Sequence, residues 1–220
     1  MKLLVTAGGT REPIDRVRAI TNTSTGATGA ALAAALAALG HEIELLRSAH
    51  SVLPAPSPSL ASQAFTTTAD LDACLRERLG PGDVEAVLMA AAVADFRPTK
   101  PLLGKIDSDS DELTLRLVRV PKLLPQLRDM SPRPLRVIGF KLTVGANDAE
   151  RLDAVATQFK NGAVDAVVHN DLSEIEAAQA RGTPHPFRLY PHPNAAPPPL
   201  LLGPTALAEA IHAFLMQHAK

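Results

Sequence analysis

Between Gly8 and Gly29 the chain reads GGTREPIDRVRAITNTSTGATG, a polar, glycine-punctuated loop between a short apolar run, Leu3-Leu4-Val5, and an alanine-leucine helix expected from Gly26 to Leu39. A strand, a loop and a helix N-terminus in that order make an anion site. Loop N–H groups and the positive end of the helix dipole converge where a phosphate or carboxylate can sit. Strand-to-helix connections usually run to about two to six residues. This one is far longer and carries Asp15, Arg16, Arg18, Asn22, Ser24 and Thr25, more functional groups than a connection needs.

The rest of the chain alternates strand and helix signals. Strands are expected at Leu3–Thr6, Glu42–Arg47, Ala86–Ala92, Leu113–Val118, Arg136–Phe140 and Ala163–Val168, and helices at Ala69–Leu79, Pro121–Arg128, Asp148–Phe159 and Ala206–Gln217. Thr68 reads as an N-cap and Gly80-Pro81-Gly82 as a stop. Ser51–Ser59 and the proline-rich stretch 181–199 read as irregular. Alternation of this kind implies an α/β fold: a doubly wound, mostly parallel, Rossmann-like sheet with helices on both faces, in a single domain. Ligands of such folds bind beyond the carboxyl ends of the strands. That rule directs attention to Gly8–Thr25, Ala92–Lys105, Phe140–Thr143 and His169–Asp171.

With 220 residues, 46% of them hydrophobic, the chain can bury a substantial core. Its 22 basic residues against 23 acidic ones give no electrostatic case for nucleic acid or an anionic membrane, so any affinity for anions must be local. The lone cysteine, Cys74, sits at helical spacing among leucines and reads as core packing. No apolar run is long enough to span a bilayer and no signal peptide is visible, so the expected location is cytoplasmic. The dinucleotide fingerprint G-x-G-x-x-G and the P-loop are both missing, and Leu46-Arg47-Ser48 stands where a nicotinamide site needs an acid. A nicotinamide-dependent reductase is therefore disfavoured.

The string GGTREPIDRVRAITNTSTG, followed by AAAVADFRP, KID before DELTL, GFK and HND, closely resembles the phosphopantothenoylcysteine synthetase family of coenzyme A biosynthesis, in its stand-alone form. The resemblance implies a ligase joining 4′-phosphopantothenate to cysteine through an acyl-nucleotide, with CTP or ATP as co-substrate, Mg²⁺ delivered with the nucleotide, and pyrophosphate released. It implies Asn22, Lys105 and Arg18 as catalytic residues. Gly8, Gly9, Thr10, Ala92, Asp95, Lys105, Phe140 and Lys160 would bind nucleotide, and Arg18, Asn22, Ser24, Thr25 and Gly26 the acid substrate. It also implies a homodimer, with Leu113–Val118 at the partner interface, and a separate decarboxylase as a possible partner.

Each residue also has a plainer reading. Asn22 can cap the following helix, Arg18 can clamp Asp15, Asp95 can cap a turn before Arg97-Pro98, and Lys105 can be a solvated lysine. His169 at a strand end reads as structural, and His185 and His192 lack the neighbours of a zinc site. The chain departs from the family where K-I-K-K becomes Lys105-Ile106-Asp107-Ser108, where the basic residue after Gly26 is replaced by Ala27, and where Ala156 replaces the lysine four residues before Lys160. Lys100 and Lys141 are candidate compensating cations. The competing reading is a non-catalytic homologue that binds a nucleotide or phosphorylated metabolite.

Overall fold

The computed structural model describes residues 1–107, 111–195 and 197–217. Strand β1 (Lys2–Ala7) leads into the long loop, which folds part of itself into a two-stranded ribbon of β2 (Arg11–Pro13) and β3 (Ala19–Thr21). There follow α1 (Ala27–Ala38), β4 (Glu42–Ser48), β5 (Leu60–Phe65), α2 (Thr68–Leu79) and β6 (Ala86–Met89). A second ribbon pairs β7 (Phe96–Pro98) with β8 (Leu117–Arg119), and a 3₁₀ segment spans Leu124–Met130. The chain closes with β9 (Arg136–Thr143), α3 (Asp148–Phe159), β10 (Ala166–Asp171), α4 (Leu172–Ala180), β11 (Pro186–Tyr190), β12 (Leu201–Leu202) and α5 (Gly203–Gln217).

Eight strands form one sheet in the order β12-β11-β10-β9-β6-β1-β4-β5, parallel from β5 to β10 and closed on the other side by antiparallel β11 and β12. The chain moves outward from β1 through α1 to β4 and β5, then returns by α2 to β6 on the other side of β1. The order of connection reverses between β1 and β6, where the loops beyond the two strands diverge and leave a crevice.

The sheet is buried on both faces, so its inner strands are apolar at successive positions. Leu3, Val5, Ile43, Leu45, Leu88 and Ile138 pack under α1 and α5, with Leu32, Leu36, Leu207, Ile211 and Leu215. Leu4, Leu46, Val87 and Val137 pack on the opposite face with Leu71, Leu75, Leu79, Leu127 and Val155. Cys74 is buried in this second cluster, and Gln63 Nε2 donates to its Sγ at 3.4 Å.

Several elements differ from the sequence expectation for identifiable reasons. β6 ends at Met89 because residues 90–95 leave the sheet to follow the Gly8 loop. Of the expected strand 113–118 only the end is realised, as β8. Pro125 stands within the expected helix 121–128, and the segment adopts 3₁₀ geometry instead. The strand expected at 163–168 begins at Ala166, after a 3₁₀ turn at Lys160–Gly162. The stretch 181–199, expected to be irregular, contains β11, with Pro186 at the strand's first residue, where proline is tolerated. Strands β5 and β12, helix α4 and the ribbon β2–β3 were not foreseen.

Candidate active site

At the carboxyl ends of β1 and β6 the chain backbones touch. Gly26, with φ 74°, is the N-cap of α1, and a Cβ there would stand 2.7 Å from Ser51 Cβ and 3.1 Å from Gly8 N. A side chain at Gly9 would stand 2.6 Å from Asn22 O. Three bonds bind residues 92–94 beside the loop: Ala92 N–H to Gly8 O (2.9 Å), Thr10 N–H to Ala92 O (3.3 Å) and Ala94 N–H to Thr10 Oγ1 (2.9 Å). Asn22 donates from Nδ2 to Val93 O at 3.0 Å. The site is therefore a line. Gly26 lies against Gly8, Asn22 against Gly9 and Val93, Ala94 against Thr10, and Asp95 comes next.

Helix α1 opens this line without a side-chain cap. The nearest substitute is a 3.3 Å bond from Ala27 N–H to Thr25 Oγ1. The N-termini of α2, α3 and α4 are occupied by Thr67, Asn147 and Asp171. The free N–H groups and the dipole of α1 thus remain available to an anion.

The ribbon β2–β3 is fixed by buried polar groups. Thr68 donates its hydroxyl to Glu12 Oε1 (2.7 Å), and Glu12 also accepts Thr68 N–H (2.8 Å). With that proton committed, Thr10 donates its own to Thr68 Oγ1 (3.1 Å) while accepting from Ala94. Asp15 is buried at the ribbon's tip and accepts Ile106 N–H (2.9 Å), Val17 N–H (2.8 Å), Arg18 N–H (2.7 Å) and Arg18 Nη1 (2.6 Å). These bonds, with that from Ile106 foremost, hold its carboxyl far below the usual carboxylate range although burial opposes them. The clamp expected between Arg18 and Asp15 is present, and Arg18 Nη1 also donates to Ile106 O (3.3 Å).

The same bonds fasten the segment that carries Lys105. Leu102 N–H reaches Ile14 O (2.9 Å) and Arg16 N–H reaches Gly104 O (3.3 Å), so both neighbours of Lys105 are tied to the ribbon while its side chain is exposed. Ser108, one of the departures from the family, lies outside the described residues. Ser24 is exposed, and Thr25 O accepts Val52 N–H (2.9 Å). Phe140 is half-buried beside the core, and its carbonyl is held by Gln158 Nε2 (2.9 Å).

Asp95 forms an ion pair with Lys122, a residue that sequence reasoning missed. Both side chains are more than half exposed, at 56% and 66%, so the pair adds at most about 1 kcal/mol to stability.

Lys160 closes helix α3. Two residues before it Gln158 donates Nε2 to Phe140 O (2.9 Å), and two residues after it Gly162 O accepts from Arg128 (3.0 Å), which also pairs with Asp165 (2.8 Å) just ahead of β10.

His169 is fully buried. Thr143 donates to Asp171 Oδ2 (2.6 Å), so the 2.9 Å contact between Thr143 Oγ1 and His169 Nε2 requires the imidazole to donate. Burial first, then the charges of Arg151 and Arg188, push this histidine down to about 4. It is a neutral structural group. Asp171 caps α4 through Ser173 N–H and holds Gly145 N–H (2.9 Å) and Ala146 N–H (3.1 Å). His185 stacks on Phe187 at 4.2 Å. Among the described residues no group of three His, Cys, Asp or Glu is placed to hold a metal, and no helix is long and apolar enough to cross a membrane.

Comparison with known proteins agrees with this geometry. The family model of the DNA/pantothenate metabolism flavoprotein C-terminal domain matches residues 1–185. The coenzyme A biosynthesis bifunctional protein CoaBC of Thermococcus kodakarensis is 34% identical over 173 residues, covering 78% of this chain and 41% of that protein. CoaBC of Escherichia coli K12 is 30% identical over 178 residues, covering 79% and 42%. The chain thus spans less than half the length of the curated relatives it matches. A crystal structure of the DNA/pantothenate metabolism flavoprotein from Streptococcus pneumoniae superposes with a TM-score of 0.85 at 27% identity, covering 99% of each chain. A crystal structure of the C-terminal domain of CoaBC superposes with a TM-score of 0.76 at 23% identity, covering 100% of this chain and 96% of that one, and shares the fold. The chain belongs to the phosphopantothenoylcysteine synthetase family and corresponds to the C-terminal domain of bifunctional CoaBC.

Proposed function

We propose that this chain joins 4′-phosphopantothenate to cysteine through an acyl-nucleotide, with release of pyrophosphate. The observation that carries the reading is the Asn22 amide, seated on Val93 O between the uncapped N-terminus of α1 and the Asp95–Lys122 pair. The acid substrate would lie over Arg18, Asn22, Ser24, Thr25 and the N–H group of Gly26 at the start of α1, and the nucleotide beside it over Gly8, Gly9, Thr10, Ala92 and Asp95, with Phe140 and Lys160 at its side. Attack of the substrate carboxylate on the α-phosphorus forms the mixed anhydride and expels pyrophosphate, whose charge Lys105 would offset, with Lys100 and Lys141 as neighbouring cations. Cysteine's amine then attacks the acyl carbon, and the nucleotide monophosphate leaves. Asn22 is suited to donate to the carbonyl oxygen that gains charge in this step. Mg²⁺ would arrive on the triphosphate, which needs few protein ligands.

Phe96, Leu113, Leu115 and Leu117 are exposed on and before the β7–β8 ribbon, which supports a homodimer meeting there. The bifunctional CoaBC relatives support a separate decarboxylase as a possible partner. The alternative, a non-catalytic binder, lacks support from any residue that blocks the line. Purified protein mixed with 4′-phosphopantothenate, cysteine and Mg²⁺, with CTP and ATP in parallel, is expected to yield phosphopantothenoylcysteine by mass spectrometry. Folded protein that gives no product with either nucleotide contradicts the reading.

A further inference from the structure

We propose that Thr10 and Thr68, two threonines with buried side chains, position the Asn22 amide for the attack of cysteine, acting through the peptide unit that joins Val93 to Ala94. This rests on the ligase reading and adds to it the groups that aim its central amide.

That peptide unit is gripped at both ends. A trans peptide is planar, with its C=O and N–H pointing in opposite directions, so whatever fixes one fixes the other. Val93 O accepts Asn22 Nδ2 at 3.0 Å, while Ala94 N–H, on the far side of the same bond, donates to Thr10 Oγ1 at 2.9 Å. The flanking backbone is anchored separately: Ala92 is bonded to Gly8 and Thr10, and Asp95 O accepts Val120 N–H (2.9 Å). Loss of the grip at Ala94 therefore frees the Val93 carbonyl to turn, and Asn22 with it, without releasing the rest of the segment.

The direction of the grip is set from α2. Glu12 Oε1 accepts both the N–H (2.8 Å) and the hydroxyl (2.7 Å) of Thr68, so Thr10 gives its own proton to Thr68 Oγ1 (3.1 Å) and presents a lone pair to Ala94 N–H. The result is a head-to-tail chain from Asn22 through the peptide unit, Thr10 and Thr68 to Glu12, in which each bond polarises the next. Thr10 O also accepts Thr21 Oγ1 (2.8 Å), from the residue before Asn22. The polar groups of Thr10 are thus spent inside the protein, on the two segments that meet at Asn22. Val93 O can only accept, so it keeps Nδ2 turned toward itself and leaves the amide's second proton for the reacting carbonyl oxygen.

The test compares wild type, Thr10→Val, which keeps the shape and removes the hydroxyl, and Thr10→Ser, which restores it, with melting temperatures to confirm folding. Rapid-quench kinetics separate acyl-nucleotide formation from cysteine capture, and Thr10→Val is repeated in an Asn22→Ala background. Thr10→Val should slow capture about tenfold, less than the roughly 10²–10³-fold lost with a transition-state donor itself, and the first step by no more than about threefold. Thr10→Ser should regain most of the loss. In Asn22→Ala the added Thr10→Val should slow capture by less than about twofold, since residues that act as a unit are not additive. Losses that multiply in the double variant, equal slowing of both steps, no rescue by Thr10→Ser, or wild-type capture in Thr10→Val overturns the proposal. If Thr10→Val does not fold, Thr68→Val decides, with capture expected to slow about threefold and Thr68→Ser to restore it. Amide exchange at Ala94, followed by NMR on the protein alone, keeps the proposal separate from the ligase reading: it should quicken about tenfold or more in Thr10→Val and not in Thr10→Ser. Folded wild type that makes no product sinks the ligase reading, and the exchange comparison then decides whether the threonines hold the peptide unit. Unchanged exchange in Thr10→Val overturns the positioning whatever the activity.

Discussion

Glu12 and Asp15 are acids buried in the loop proposed to receive an anion, and the loop itself consumes both. Glu12 accepts Thr68, and Asp15 accepts three N–H groups and a guanidinium, so neither offers charge to a ligand. Because the carboxyl of Asp15 is depressed in the folded protein, the stability it contributes is present above its unfolded value near 4 and is lost as pH falls below it. Melting curves of wild type and Asp15→Asn should therefore differ by a constant amount above about pH 5 and converge between about pH 4 and pH 2. A gap that is unchanged at low pH would show that the carboxylate's charge is not what holds the ribbon's tip. Asn22, Arg18 and Lys105 stand out in the sequence as candidates because they sit in strings of specific residues. Lys122 does not, since its pairing with Asp95 joins two exposed residues across a ribbon that no local pattern announces.

The elements that carry the site are those with the plainest signals. β1 is apolar throughout and α1 follows a loop rich in glycine, so both could be placed from the sequence. β5, reading LASQAF, is an edge strand with little burial and no clean alternation, and β11 starts on a proline, so neither declares itself. Lys160 is harder to place from sequence, because residue spacing shows that a helix precedes a strand but not which edge of the sheet its end reaches. The segment 102–106 is irregular, yet its backbone is tied to the ribbon at Ile14, Asp15 and Arg16. That tether gives Lys105 a fixed root and a free head. Lys105→Gln should slow acyl-nucleotide formation by about 10²-fold, the loss typical of one transition-state donor, with less effect on cysteine capture. Single-turnover data with normal activation would remove Lys105 from the mechanism and leave Lys100 as the next candidate.

On the scale of the whole molecule, the reversal between β1 and β6 makes the site possible. Two apolar clusters, one on each face of the sheet, hold the strands at the register that sets Gly9 against Ala92, and hence Asn22 against Val93. The doubly wound plan was legible from alternation alone, whereas the antiparallel closure by β11 and β12 was not. The central claim is that this frame presents two anions to each other and then to an amine, in two chemical steps. Rapid-quench mixing of enzyme, 4′-phosphopantothenate, Mg²⁺ and CTP or ATP without cysteine tests it most directly, with wild type and Asn22→Asp compared. Wild type should form acyl-nucleotide and an equal amount of pyrophosphate, and should convert the intermediate to product when cysteine is added. Asn22→Asp should form the intermediate but convert it slowly, because a carboxylate repels the charge that the amide stabilises. Pyrophosphate release that does not depend on 4′-phosphopantothenate, or folded wild type that forms no acyl-nucleotide, would contradict the account.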